Sequence, residues 1–145
     1  MPDANVLVYA HRADDPAHDF YRNWLEEKVN SASPFALSSE VLAAFVRIVT
    51  HPRFPGGPTP LPAALAEMDA LISRSNCRLL HSSAPGWEIF RRLCLKSGAV
   101  GKLVADARHA AIAIENGCTW VTRDRDFDRF ISVGLQLHII EPPES

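Results

Sequence analysis

Hydrophobic positions in this chain recur at two spacings, one typical of helices and one typical of short buried strands. Segments 17–30 and 38–51 place apolar residues three to five positions apart, which indicates helices with one buried face. Helices are also predicted over the apolar run 5–11 and over 63–74, 86–98 and 103–117. Short apolar runs predict strands at 34–38, 77–80, 118–122 and 135–140, with a helical turn at 126–130.

Helices that alternate with short apolar strands are typical of parallel α/β proteins. We therefore predict a three-layer α/β/α sandwich with a short central parallel sheet. The clear loop is 51–62, "HPRFPGGPTPLP", which holds five of the eleven prolines and two adjacent glycines. It is too short to link two domains, and 145 residues are enough for one self-sufficient core. We expect a single domain over residues 1–145.

The composition of the chain excludes several classes of function. The formal net charge of −2 lacks the basic signature of a DNA-coating protein. The six histidines are scattered, which disfavours a zinc centre, and the three cysteines form no CxxC pair. Buried, reduced thiols are therefore expected. No run approaches 18 apolar residues and no secretory leader is visible, which predicts a cytoplasmic protein with no membrane segment.

Acidic residues recur at the ends of predicted strands and the starts of predicted helices. Asp3 precedes the first helix, Glu40 follows strand 34–38, Asp124 follows strand 118–122, and Asp106 is placed at the opening of helix 103–117. Any one of them alone is explained best as a helix cap. Converging carboxylates, however, repel one another and need a cation between them. An oxygen-only ligand set of this kind suits Mg²⁺ or Mn²⁺.

Other catalytic motifs are weaker. There is no GxSxG nucleophile elbow, and "GAVGK" lacks the preceding strand and the following Ser or Thr of a phosphate-binding loop. A D-x-D nucleophile of the haloacid-dehalogenase type is also unsupported, because "DAN" lacks the second acid.

Three segments together resemble the PIN-domain nucleases. They are "DANVLVYA" (3–10), "SSEVLAAFVRIV" (38–49) and "VADARHAAIAIENGCTWVTRDRDF" (104–127). The resemblance is strongest to the VapC branch, the toxins of bacterial type II toxin–antitoxin pairs. It runs in the correct order from Asp3 to about Phe130 and so covers nearly the whole chain.

The resemblance implies a set of site residues. Its acidic quartet would hold Mg²⁺ or Mn²⁺, with a further acid, an amide that positions the first Asp, and a hydroxyl that lines the site. The quartet is Asp3, Glu40, Asp106 and Asp124, the further acid is Asp126, the amide is that of Asn5 and the hydroxyl is that of Thr122. Asp128 has no counterpart in the motif.

The resemblance also implies a function and partners. The chain would be a Mg/Mn-dependent endoribonuclease that is neutralised by a cognate VapB-type antitoxin. It would form a homodimer or a hetero-oligomer with that antitoxin. Because the overall charge gives no attraction for RNA, arginines near the acids in sequence are the candidates for binding it, although each alone is explained best as a solvated or acid-paired residue. They are Arg12, Arg47, Arg53, Arg108, Arg123 and Arg125.

Two alternatives stay open at the level of sequence. One is a catalytically impaired PIN-like domain that acts as a binding partner. It follows from the N-terminus, because only Met1 and Pro2 precede Asp3, so that Asp3 is expected on a frayed segment. The other is a different Mg-dependent phosphatase or nuclease on an α/β sheet.

Overall fold

The computed structural model describes residues 1–144, and its elements follow the predicted order. The helices are α1 (Ala4–His11), α2 (His18–Val29), α3 (Ser39–Val49), α4 (Leu61–Ile72), α5 (Ala84–Ser97) and α6 (Lys102–Glu115). The strands are β1 (Phe35–Ser38), β2 (Cys77–Leu80), β3 (Thr119–Thr122) and β4 (Gln136–Ile139), and a 3₁₀ helix (Arg125–Val133) joins β3 to β4. The predicted α/β class with short parallel strands is confirmed.

The parallel sheet is divided into two pairs of strands. β1 pairs with β2, with Phe35 opposite Cys77, and β3 pairs with β4, with Thr119 opposite Gln136. Each strand has four residues, which limits each pair to a few ladder hydrogen bonds. Helix packing therefore holds the two pairs in place, and α1 contacts both α3 and β3.

Residues Met1–Asp3 lie beside β3 and are fixed to it. The Val121 amide donates to the Met1 carbonyl at 3.0 Å, and the Asp3 amide donates to the Val121 carbonyl at 2.8 Å. The Met1 nitrogen donates to the Thr119 carbonyl at 2.8 Å, and Met1 is 8% exposed. The expectation of a frayed segment is wrong, because strand pairing and burial hold even these few residues.

The core lies between the helices and the two strand pairs. Its largest fully buried side chains include Trp120, Phe45, Phe127 and Phe130. Trp120 on β3 packs against Phe127 of the 3₁₀ helix, with ring centroids 5.3 Å apart. This contact ties the segment after β3 to the strand itself, so that the backbone at 122–126 has a defined path.

Two local predictions need correction. Asp106 does not open α6, because the helix begins at Lys102 and Asp106 lies one turn further along, beyond the reach of an N-cap. The cysteines are free thiols, as predicted, but all three are only half-buried. Burial still raises the pKa of the Cys77 and Cys94 thiols.

Within the described chain, no helix combines the length and the apolar character that a membrane crossing requires.

Candidate active site

Asp3 is held by uncharged donors. Its Oδ1 accepts the Ala4 backbone amide at 2.7 Å, which caps α1. Its Oδ2 accepts the Thr122 hydroxyl at 2.7 Å and the Asn5 side-chain amide at 3.3 Å. The helix-cap interpretation is therefore correct for one oxygen only, and the other oxygen points to the end of β3.

The charge on Asp3 is disfavoured by its surroundings. Burial raises the pKa of this carboxyl above its ordinary value, and the nearby charge of Asp106 acts in the same direction. The Thr122 hydrogen bond, the charge of His109 and the Ala4 amide each oppose the rise. His109 itself is stacked on Trp120, with ring centroids 5.4 Å apart. A cation near Asp3 would relieve this burial penalty.

Thr122 connects Asp3 with Asp124. It is fully buried at the end of β3, and its hydroxyl oxygen accepts the Asp124 amide at 3.0 Å and the Asn5 side-chain amide at 3.2 Å. Asp124 in turn caps the 3₁₀ helix, because its Oδ1 accepts the Asp126 amide at 2.9 Å. One hydroxyl thus holds the Asp3 carboxylate and the backbone of Asp124, two predicted site residues that lie far apart in sequence.

Asp106 and Asp124 converge on the ammonium group of Lys102. The Lys102 Nζ lies 3.2 Å from Asp106 Oδ2, 3.1 Å from Asp124 Oδ2 and 4.0 Å from Asp126 Oδ2. The hydrogen bonds to Asp124 and Asp106 raise the pKa of Lys102. Sequence reasoning missed this residue. Its spacing of four positions from Asp106 on a predicted helix was the available signal.

Glu40 is the predicted residue that stands apart. It lies in the first turn of α3, and its Oε1 pairs with the Arg108 guanidinium at 2.5 Å. Within the described residues, Glu40 shares no hydrogen-bond or ion-pair partner with the other predicted acids. The structure therefore links Asp3, Asn5, Asp106, Thr122, Asp124 and Asp126 through shared contacts, and leaves Glu40 facing α6 through Arg108.

The predicted RNA-binding arginines divide into two groups. Four are already engaged: Arg12 pairs with Asp14 and Asp15, Arg108 with Glu40, Arg125 with Glu141, and Arg123 lies over the Tyr9 ring. Arg47 and Arg53 are exposed, and neither has an acid within ion-pair distance in residues 1–144.

The donors at this site suit a hard divalent cation, although they are not arranged around one. No three Asp, Glu, His or Cys side chains in the described part of the chain converge as a metal-binding group. The acids offer only oxygens, which suit Mg²⁺ or Mn²⁺. Asn5 Oδ1 adds a buried oxygen that has no hydrogen-bond donor in residues 1–144. The donor chemistry therefore fits such an ion, and Lys102 already places positive charge among the carboxylates.

A cavity of about 570 Å³ lies elsewhere, beside Met1 and Pro2. It is lined by Phe35 and Ala36 of β1 and by Cys118 and Thr119 at the start of β3, and none of the predicted acids borders it. These lining residues are mostly at the opposite strand ends from the carboxylates. Ligand sites of open parallel sheets lie at the carboxyl ends, which favours the acidic end as the reactive one.

Comparison with known proteins identifies one family. The profile of the family described as "PIN domain" matches residues 1–131. The VapC ribonuclease Mb2897 of Mycobacterium bovis is 43% identical over 128 residues, which are 88% of this chain and 87% of that protein. Ribonuclease VapC31 of Mycobacterium tuberculosis is 37% identical over 131 residues, which are 90% of this chain and 92% of that protein.

Solved structures show the same fold. VapBC2 from Rickettsia felis, bound to a DNA fragment from its promoter, matches with a TM-score of 0.69 and 25% identity, over 96% of each chain. VapC20 of Mycobacterium tuberculosis, a toxin that cleaves the sarcin–ricin loop, matches with a TM-score of 0.67 over 97% of this chain and 98% of that one. At 17% identity, this second likeness shows the fold alone.

Proposed function

This chain belongs to the PIN-domain family, within its group of VapC ribonucleases, and we propose that it is a ribonuclease toxin that hydrolyses phosphodiester bonds of RNA. The membership expected from the sequence motifs is thereby confirmed. The observation that best supports the proposed reaction is that shared contacts connect three predicted acids near the end of β3: Thr122 contacts Asp3 and the Asp124 amide, and Lys102 contacts Asp106 and Asp124.

Ribonucleases of this family generally depend on a divalent metal ion, and we propose Mg²⁺ or Mn²⁺ as the ion for this chain. Asp3, Asp106 and Asp124 would hold the ion, with Asp126 and Glu40 as further oxygen donors. When bound, the ion supplies positive charge against the scissile phosphate and lowers the pKa of the attacking water.

The chain's own residues supply positioning. Thr122 orients Asp3 and Asp124 together, and Asn5 donates to both Asp3 and Thr122. Arg47 and Arg53, which are exposed and free of acid partners within residues 1–144, are the arginines best suited to RNA phosphates. We propose them ahead of Arg12, Arg108, Arg123 and Arg125, whose side chains are already engaged.

A substrate panel tests the reaction. RNA, single-stranded DNA and a phosphomonoester are offered to the purified chain with Mg²⁺ or Mn²⁺, and again in excess EDTA. We expect RNA cleavage that stops in EDTA, because without the ion nothing lowers the pKa of the attacking water or supplies divalent charge against the scissile phosphate. Equal cleavage of RNA in EDTA would contradict a metal-dependent mechanism, and turnover of the phosphomonoester alone would favour the phosphatase alternative.

The impaired-domain alternative loses its main argument. It rested on a frayed segment before Asp3, whereas Met1 and Asp3 are hydrogen-bonded to β3 and Asp3 reaches Thr122. Titration of Mn²⁺ by calorimetry separates the two readings, since an impaired site binds the ion weakly or not at all.

We also propose a cognate antitoxin, on the ground that VapBC2 from Rickettsia felis pairs a related toxin with one. The expected oligomer is a homodimer or a complex with that antitoxin. We propose that the chain is a single PIN domain over residues 1–145 and that it acts in the cytoplasm. Co-expression with the product of an adjacent small reading frame tests the partnership. Loss of ribonuclease activity in a co-purifying complex is the expected result, and full activity of that complex would contradict neutralisation.

A further inference from the structure

Lys102 is held in the acidic site by hydrogen-bonded ion pairs with two carboxylates and not by burial. Its ammonium lies within 3.2 Å of Asp106 Oδ2 and Asp124 Oδ2, yet its side chain is 68% exposed. Lys102 is also the first residue of α6, where the helix dipole disfavours a positive charge. The attraction of the two carboxylates therefore outweighs the unfavourable interaction of the ammonium with the dipole of α6.

No other cation satisfies these acids. Among residues 1–144, neither Asp106 nor Asp124 has an ion-pair partner besides Lys102. Asp106 is largely buried, with its side chain 11% exposed, so its charge depends on a counter-ion more than that of a surface acid. Lys102 supplies that counter-ion in the protein without metal.

From this geometry we propose that Lys102 is a built-in counter-ion that competes with the divalent cation for Asp106 and Asp124. It holds the two carboxylates together in the absence of metal, and it must leave before the cation can bind both. Lys102 is a positioning residue in this account, and the idea rests on the metal-dependent function proposed above.

The exchange is feasible because Lys102 is easily released. A lysine carries its charge on a flexible four-carbon stem, and exposed ion pairs contribute little individually. A divalent ion brings twice the charge and can accept oxygens from several acids at once. The same contacts that hold the carboxylates together without metal therefore lower the apparent affinity of the site for metal.

Three variants test the proposal. Lys102→Met removes the charge and keeps a linear stem, Lys102→Arg keeps the charge, and Lys96→Met removes the charge from an exposed lysine of α5 that has no acid partner in residues 1–144. Mn²⁺ binding is measured by calorimetry, and the thermal midpoint is measured in EDTA and in Mn²⁺.

We expect Lys102→Met to bind Mn²⁺ about tenfold more tightly, since the two ion pairs of Lys102 no longer compete with the ion. Its thermal midpoint should fall in EDTA, because Asp106 and Asp124 then repel each other, and should recover with Mn²⁺. Lys102→Arg should stay close to the wild type, and Lys96→Met should match it in both measurements.

Unchanged or weaker Mn²⁺ binding by Lys102→Met overturns the proposal, and so does the absence of Mn²⁺ binding in every protein. The ribonuclease hypothesis has a separate readout. If EDTA abolishes RNA cleavage while Lys102→Met binds Mn²⁺ like the wild type, only the counter-ion role fails. If Lys102→Met binds Mn²⁺ more tightly but no protein cleaves RNA, only the ribonuclease function fails.

Discussion

Asp3 and Glu40 are both predicted metal-site carboxylates, yet the protein holds them in opposite ways. Asp3 accepts three hydrogen bonds from uncharged groups, beside the fully buried Thr122. Glu40 accepts a hydrogen bond from the Arg108 guanidinium, and the Glu40 side chain is 30% exposed. Uncharged donors fix a carboxylate without neutralising it, whereas a guanidinium neutralises it. Asp3 can therefore accept a cation directly, whereas Glu40 must first release the Arg108 guanidinium.

Asp124 is intermediate between these two extremes. Asp124 has one oxygen fixed by the Asp126 amide, as at Asp3, and one oxygen on a cation, as at Glu40. The carboxylate oxygens beside β3 are thus held by uncharged donors, whereas one oxygen of Glu40 and one of Asp124 are paired with cations. The predictions below break or sharpen this contrast, beginning with the largest effect.

Replacing Asp106 by the isosteric Asn should have the largest effect on activity. We expect RNA cleavage in Mg²⁺ to fall by at least about a hundredfold, because even outer residues of metal sites cost that much when changed. The comparison is the initial rate of RNA cleavage for Asp106→Asn and wild type at equal concentration. Circular dichroism supplies the control for folding, and undiminished cleavage by a folded variant would exclude Asp106 from the site.

Thr122→Val removes the hydroxyl that fixes the Asp3 end. The buried Asp3 carboxylate and the Asp124 amide would each lose a partner, so we expect a loss of about 1–3 kcal/mol in the free energy of unfolding. Cleavage should fall by roughly 10–100-fold, as for other positioning groups at metal sites. Urea unfolding and RNA cleavage measure the two effects. Thr122→Ser, which keeps the hydroxyl, serves as the control and should retain most of both.

The pH dependence of stability tests the buried charge of Asp3. Burial raises the folded-state pKa of Asp3 above its ordinary value of 3.8. The folded protein therefore binds more protons than the unfolded chain between these two pKa values, and its stability falls as pH rises through that window. Relative to wild type, Asp3→Asn should become progressively more stable as pH rises across it. Thermal unfolding in EDTA at several pH values measures this, and a constant difference would contradict the buried charge.

Arg108→Gln should have the smallest effect on stability. The pair that Arg108 forms with Glu40 is partly exposed on both sides, at 46% and 30%. Pairs of this kind contribute less than about 1 kcal/mol to the free energy of unfolding. Urea unfolding checks the prediction. A loss as large as that of Thr122→Val would show that the Glu40 end is as firmly structured as the Asp3 end, and the contrast would disappear.

The predictable part of the site depends on local pattern. The carboxylates at 3 and 124 were placed correctly at an element boundary because strands and helices alternate regularly around them. Asp106 was expected at the opening of helix 103–117 but lies about one turn inside it, and the helix itself begins one residue earlier than predicted, at Lys102. Boundaries depend on caps, and α6 begins after Gly101 without a side-chain cap.

Contacts between distant segments could not be predicted in this way. The pairing of Met1–Asp3 with β3 joins residues more than a hundred positions apart, and local pattern carries no information about it. The same holds for Lys102 and Asp124, which are 22 positions apart. A favourable residue type does not guarantee a local contact either, because Ser38 occupies the N-cap position of α3 and its buried hydroxyl makes no cap bond.

The hydrogen bond from Thr122 to Asp3 closes a loop that spans 119 positions of the chain. Synthesis delivers residues in order, at about 5–20 per second, and Asp3 leaves the ribosome long before Thr122 is added. During that interval the nascent chain has its first carboxylate but neither the hydroxyl nor the acids that complete the site. If these residues form the active site, as proposed, that site cannot assemble until translation is almost finished.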